Sequence, residues 1–131
     1  MDVRIWRLKA ERFREAAISE LKNGRYDVAS FSAQQAAELY LKGFIIGRTG
    51  SKPYTHLLTE LLKLIFELTG KRNEGVERCA ASLEVHYLQA RYPDSRLRDY
   101  TREEAEEAVR CMEVILDFVR SVEDNNEEGQ D

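Results

Sequence analysis

The chain of 131 residues carries 43% hydrophobic and 34% charged residues with seven Gly and two Pro, which excludes collagenous, disordered and disulfide-scaffold classes and leaves enough apolar chain for one core. Its formal net charge of -4 is concentrated at one end: residues 123–131 hold five acids and no base, and without them 20 basic residues stand against 19 acidic ones. A body so close to neutral offers no global basic field for sequence-independent nucleic-acid binding.

Trp6, Ala10, Phe13, Ala17 and Leu21 recur at steps of three and four, which predicts an amphipathic helix from about residue 3 to Asn23-Gly24, with Gly24 as its stop. A second helix is expected from Tyr26 to Ile46, with Ala29, Ala33, Ala36, Tyr40 and Phe44 on one face and Gly47 and Gly50 ending it. Thr55 is placed to cap a shorter helix carrying Leu57, Leu58, Leu61, Leu62, Ile65 and Leu68, closed by Gly70. Asn73 is placed to cap a fourth, in which Val76, Ala80, Leu83 and Tyr87 align and which Pro93 ends. After a charged linker over 94–100, Thr101-Arg102-Glu103-Glu104 has capping-box spacing, and Ala105, Ala108, Met112, Ile115, Val119 and Val122 continue it as a last amphipathic helix. The expected fold is therefore all-α: an up-and-down four-helix bundle with one additional short helix over residues 1–122, followed by an acidic disordered tail over 123–131. No period-two strand, internal repeat or Gly-rich phosphate loop supports a Rossmann or P-loop reading.

Charges interrupt every apolar run, so neither a signal segment nor a membrane span of about 20 apolar residues is expected, and the chain is expected to be cytoplasmic. In a reducing compartment Cys79 and Cys111, each on an apolar helix face, are expected to be buried free thiols. The two histidines, His56 and His86, lie near helix ends, where hydrogen-bonding or capping roles predominate, and no ligand spacing supports a metal site.

Two clusters carry possible chemistry. Gln35, Glu38 and Lys42 follow Phe31 at steps of four, three and four and so share one face of the second helix, opposite the alanine stripe. That face is either a solvated one, in which an i,i+4 pair of Glu38 and Lys42 contributes about a few tenths of a kcal/mol, or a binding surface. Arg91-Tyr92-Pro93-Asp94-Ser95-Arg96-Leu97-Arg98 brings three guanidiniums and a tyrosine together at a helix end. Such a loop either receives a phosphate and a base, or is packed by Tyr92 with Arg91 pairing Glu38 or Asp94.

The run Tyr26-Asp27-Val28-Ala29-Ser30-Phe31-Ser32-Ala33-Gln34-Gln35-Ala36-Ala37-Glu38 followed by Lys42 resembles the second-helix signature of HEPN domains. Thr55-His56 before a leucine-rich helix and Arg91-Tyr92-Pro93-Asp94 before the last helix extend the resemblance from about residue 5 to 122. The resemblance implies an up-and-down bundle of four or five helices, usually a homodimer, with a role in nucleotide binding and no cofactor. Prokaryotic members often accompany a minimal nucleotidyltransferase, a pairing that frequently acts as a toxin and antitoxin. On that reading Gln35, Glu38, Lys42, His56, Arg91, Tyr92 and Asp94 line a nucleotide- or partner-binding cleft, with Arg91 and Lys42 on phosphate and Tyr92 against the base.

Many relatives are metal-independent ribonucleases whose motif is an arginine, four to six residues, then a histidine. Here Arg91 is followed by no histidine, and the positions that would carry the arginine are Thr49, Gly50 and Ser51 before His56 and Cys79, Ala80 and Ala81 before His86. With that spacing missing, a binding module is expected before an enzyme, and no catalytic residue is assigned. The alternatives are a ribonuclease with a non-standard site, using His56 as general acid or base and Arg91 on the phosphorus, or a purely structural dimer seamed at Phe31.

Overall fold

The computed structural model describes residues 2–129, with side chains over residues 2–123. Helix α1 (Val3–Lys22) starts where the Asp2 carboxylate accepts the Arg4 amide at 2.9 Å, and it stops where Asn23 is followed by Gly24 at a left-handed φ of 77°. Helix α2 (Tyr26–Thr49) runs through the expected end at Ile46 and Gly47 and closes only at left-handed Gly50. Gly47 continues the helix, and a Cβ there would make only ordinary contact with Val3 at 3.4 Å, whereas one at Gly43 would sit 3.1 Å from the Cβ of Trp6. The bare Cα of Gly43 lets α1 ride close on α2.

Helix α3 (Leu58–Thr69) begins later than the Thr55 cap predicts. The Thr55 hydroxyl accepts the Leu57 amide inside a turn, while the free first-turn amide of Thr59 donates instead to the Glu84 carboxylate of α4, 2.9 Å away. Helix α4 (Glu74–Glu84) is capped as expected by Asn73, whose side chain accepts the Val76 amide at 3.1 Å. It does not continue to Pro93. It breaks at Val85 into the single turn α5 (His86–Gln89), although no Gly or Pro marks the point. The break coincides with the His86 ring turning inward to hydrogen-bond Tyr100.

Helix α6 (Arg102–Gly129) opens with the reciprocal capping box, Glu104 N–H to Thr101 Oγ1 and Thr101 N–H to Glu104 Oε1, each 3.2 Å. It runs beyond the expected end at Val122; the disordered tail expected over 123–131 falls largely on side chains, and at 130 and 131 on backbone, outside the described residues. The described residues contain no β-strand, and the chain forms the all-α up-and-down bundle. In it α2 touches every other helix, α1 and α6 flank it, and α3 and α4 complete the layer. Leu41, Leu58, Leu61, Leu62, Ile65, Leu83, Met112, Ile115 and Leu116 fill the core with no more than about 1% exposure.

The expectation of two free thiols is overturned. Cys79 of α4 and Cys111 of α6 are joined as a disulfide with Cα atoms 4.9 Å apart. Thirty-two residues separate them in the chain, and only the packing of α4 on α6 brings the two apolar faces into register.

Candidate functional site

The central position of α2 changes the meaning of its polar stripe. Glu38 and Lys42 are not on a solvated face: their side chains are 7% and 4% exposed. Gln34, Glu38 and Lys42 stand on successive turns, so the Glu38 carboxylate receives Gln34 Nε2 on one oxygen and Lys42 Nζ on the other, each at 2.9 Å. His56, from the extended segment before α3, brings Nδ1 to 3.0 Å from the second oxygen. Gln35 completes the chain by donating its amide to Gln34 Oε1 at 2.7 Å. Burial by itself would push the Glu38 carboxyl upward, but the donors His56, Gln34 and Lys42 outweigh it and hold the group below the usual carboxylate value, hence ionised.

An ionised Glu38 makes Nδ1 the protonated nitrogen of His56, so Nε2 points away from the carboxylate. The imidazole stacks on Tyr87 of α5, ring centroids 4.5 Å apart and planes within 15°, and its side chain is 49% exposed. Arg91 lies over the same tyrosine, 4.6 Å from its centroid, and 5.3 Å from that of Phe31 on α2. Its guanidinium pairs with neither Glu38 nor Asp94 and makes no ion pair among the described residues. Aromatic faces hold the cation in place while leaving its charge uncompensated.

Of the residues singled out from the sequence, the structure therefore assembles Gln35, Glu38, Lys42, His56 and Arg91 around one face of α2. Lys42 is not free to meet a phosphate, because it is buried and committed to Glu38. Tyr92 is half exposed and lines a neighbouring concavity of about 340 Å³ with Arg91, Arg96 and Arg98. Asp94 is exposed and joins neither group. Sequence reasoning did not single out Gln34, which stands in the signature run at i,i+4 spacing to Glu38, or Tyr87, whose place in an apolar stripe marks it as core.

A second polar group lies where α5 meets α6. His86 Nδ1 and the Tyr100 hydroxyl are 2.6 Å apart, Arg96 lies 4.0 Å from the Tyr100 ring centroid, and Arg96 Nη2 donates to both Glu104 oxygens at 2.8 Å. Burial drives the His86 pKa down to about 4, so this imidazole is neutral near neutral pH. No cluster of three or more His, Cys, Asp or Glu suited to a metal occurs among the described residues, and no described helix is long and apolar enough to cross a membrane.

Comparison with known proteins gives a consistent answer. A family model described as HEPN domain matches residues 3–122. Among solved structures, TT1696 from Thermus thermophilus is 35% identical with a TM-score of 0.84, covering 92% of this chain and 97% of its own. An archaeal HEPN homologue, ST0689, is 29% identical with a TM-score of 0.74 over 92% and 97%. A HEPN domain protein from Thermotoga maritima, tm0613, is 26% identical with a TM-score of 0.67 over 86% and 92%. No curated protein matches the chain.

Proposed function

The chain belongs to the HEPN domain family, and from that premise we propose that it is a nucleotide-binding and interaction module, a homodimer acting with a nucleotidyltransferase partner in a toxin and antitoxin type of system. The observation that carries the reading is Arg91: an exposed guanidinium without an ion pair among the described residues, fixed over Phe31 and over Tyr87, the ring on which the half-exposed His56 stacks. A guanidinium so held recognises phosphate at little ordering cost. The adjoining concavity of about 340 Å³, with Arg96, Arg98 and Tyr92 on its wall, suits a mononucleotide or a single nucleotide of RNA. Tyr92 would take the base. Glu38 and Lys42 then act indirectly, by fixing His56 and Gln35 rather than by touching the ligand.

Thermal unfolding against a panel of ribonucleotides tests this. A ligand at 100 times its dissociation constant adds about 2.7 kcal/mol, a shift of roughly several degrees for a domain of this size. The shift is expected in the native protein and absent from Arg91→Ala; no shift with any nucleotide, alone or with the partner present, would sink the reading. Sedimentation of the native protein addresses the homodimer, which is expected to run at twice the chain mass; a monomer at every concentration would overturn that part of the reading.

One observation favours a second reading. His56, bonded to Glu38 through Nδ1, turns Nε2 away from that carboxylate and shares the Tyr87 ring with Arg91, so an imidazole and a guanidinium of the kind a metal-independent ribonuclease would use lie in one neighbourhood. Cleavage of RNA in EDTA, lost in His56→Ala, would establish it; the absence of cleavage retires it.

A further inference from the structure

The disulfide lies outside the site, on the helix that leads into it. Cys79 is on α4, the helix that leads through Val85 into α5 and so to Tyr87 and Arg91; Cys111 is on α6, which carries the capping box and core residues Met112, Ile115 and Leu116. Both cysteines border an open groove of about 720 Å³ between α4 and α6, walled by Arg78, Ser82, Glu107 and Arg110. Arg110 Nη2 lies 3.6 Å from Cys111 Sγ and 3.8 Å from Cys79 Sγ, and Glu107 Oε1 lies 3.5 Å from Cys111 Sγ. The Cα separation of 4.9 Å falls inside the span of about 4.4–6.8 Å that a disulfide requires, so the bond forms with α4 and α6 packed as they are.

We propose that Cys79 and Cys111 form a reversible thiol–disulfide site, served by a dithiol that enters the α4–α6 groove, and that its oxidised form clamps the α4–α5 arm onto α6. A thiolate of the dithiol attacks Sγ of Cys79 from the groove that both cysteines border, forming a mixed disulfide and releasing Cys111 as a thiolate beside Arg110. The second thiol of the reductant then displaces Cys79. The co-reactant leaves as its own disulfide, two electrons and two protons having passed to the two cysteines, with Glu107 placed to accept the hydrogen bond of the Cys111 thiol. In the reduced protein the covalent tie between α4 and α6 is gone. The inference does not depend on which ligand the Arg91 face binds.

Protein purified without reductant and exposed to a mild oxidant such as diamide should show no free thiol on denatured titration, and two per chain after dithiothreitol. Reduction should lower the melting temperature by about 10 °C, as loss of a loop closure of this length implies. It should also speed amide hydrogen exchange over 85–98 several-fold while leaving 29–46 of α2 unchanged. Cys111→Ser should match the reduced protein with and without dithiothreitol, and because that variant rests on folding, reduced native protein provides the same comparison. Arg110→Ala should slow reduction several-fold. Two free thiols per chain after oxidant, or a melting temperature and exchange at 85–98 indifferent to reduction, would overturn the proposal.

Discussion

Two buried polar clusters, each built around a histidine and a glutamate, have opposite electrostatic characters. At α2 the carboxylate of Glu38 is surrounded by donors and stays ionised, and the histidine it holds reaches the surface. At the α5–α6 junction His86 is 7% exposed, faces a tyrosine hydroxyl and stays neutral, while Glu104 is taken up by Arg96 and by the helix cap. The first arrangement holds an imidazole at the surface; the second seals one away against the linker. A histidine near a helix end therefore says little until the charge beside it is known.

The sharpest way to break this contrast is to remove the α2 carboxylate. Glu38→Ala leaves the Lys42 ammonium buried without a counter-charge and should cost about 3–5 kcal/mol in urea unfolding, whereas Glu38→Ala combined with Lys42→Met should recover most of it. A loss under about 1 kcal/mol for the single variant would mean that water reaches the pair.

Acid separates the two clusters next. The folded-state pKa of His86, about 4, lies below the ordinary 6.5, so the unfolded chain takes up a proton that the folded chain refuses. The associated stability is complete above about pH 6.5 and is lost as pH falls toward 4, by about 3 kcal/mol in all. Glu38 is likewise lowered, from 4.5, so its contribution is present above that value and is lost only as pH falls through its folded-state pKa. His86→Phe should flatten the limb between pH 6.5 and 4 and keep the one below it; an unchanged upper limb would assign it to another group.

Thr101→Ala removes the hydroxyl that caps α6 beside Glu104 and should cost about 1 kcal/mol in thermal unfolding. The smallest effect belongs to His56→Ala. The ring is half exposed, so its bond to Glu38 is screened and its loss should change stability by less than about 1 kcal/mol. That outcome would mark His56 as a residue held for binding rather than for folding, and a larger loss would place it with His86.

Much of this bundle is legible in the chain because the relevant rules are local. The stripe from Trp6 to Leu21, the Asn73 cap, the Thr101–Glu104 box and the glycines at 24, 50 and 70 each depend on neighbours within about a turn, and each appears where its spacing places it. The grouping of Gln35, Glu38 and Lys42 on one face is legible for the same reason.

Whether that face is wet or dry is not local. Glu38 and Lys42 are buried because α2 is central and the segment carrying His56 comes in against Glu38, and no spacing within α2 encodes that. The same holds for the helix continuing through Gly47 against Val3, for the break at Val85 as His86 finds Tyr100, and for the meeting of Cys79 with Cys111. The sequence by itself determined the amphipathic stripes, the Asn73 and Thr101 caps and the family signature, since backbone hydrogen bonding and amphipathic period act over three or four residues. The tertiary structure decided which polar groups are buried and what they touch, since burial depends on surfaces contributed by residues far apart in the chain.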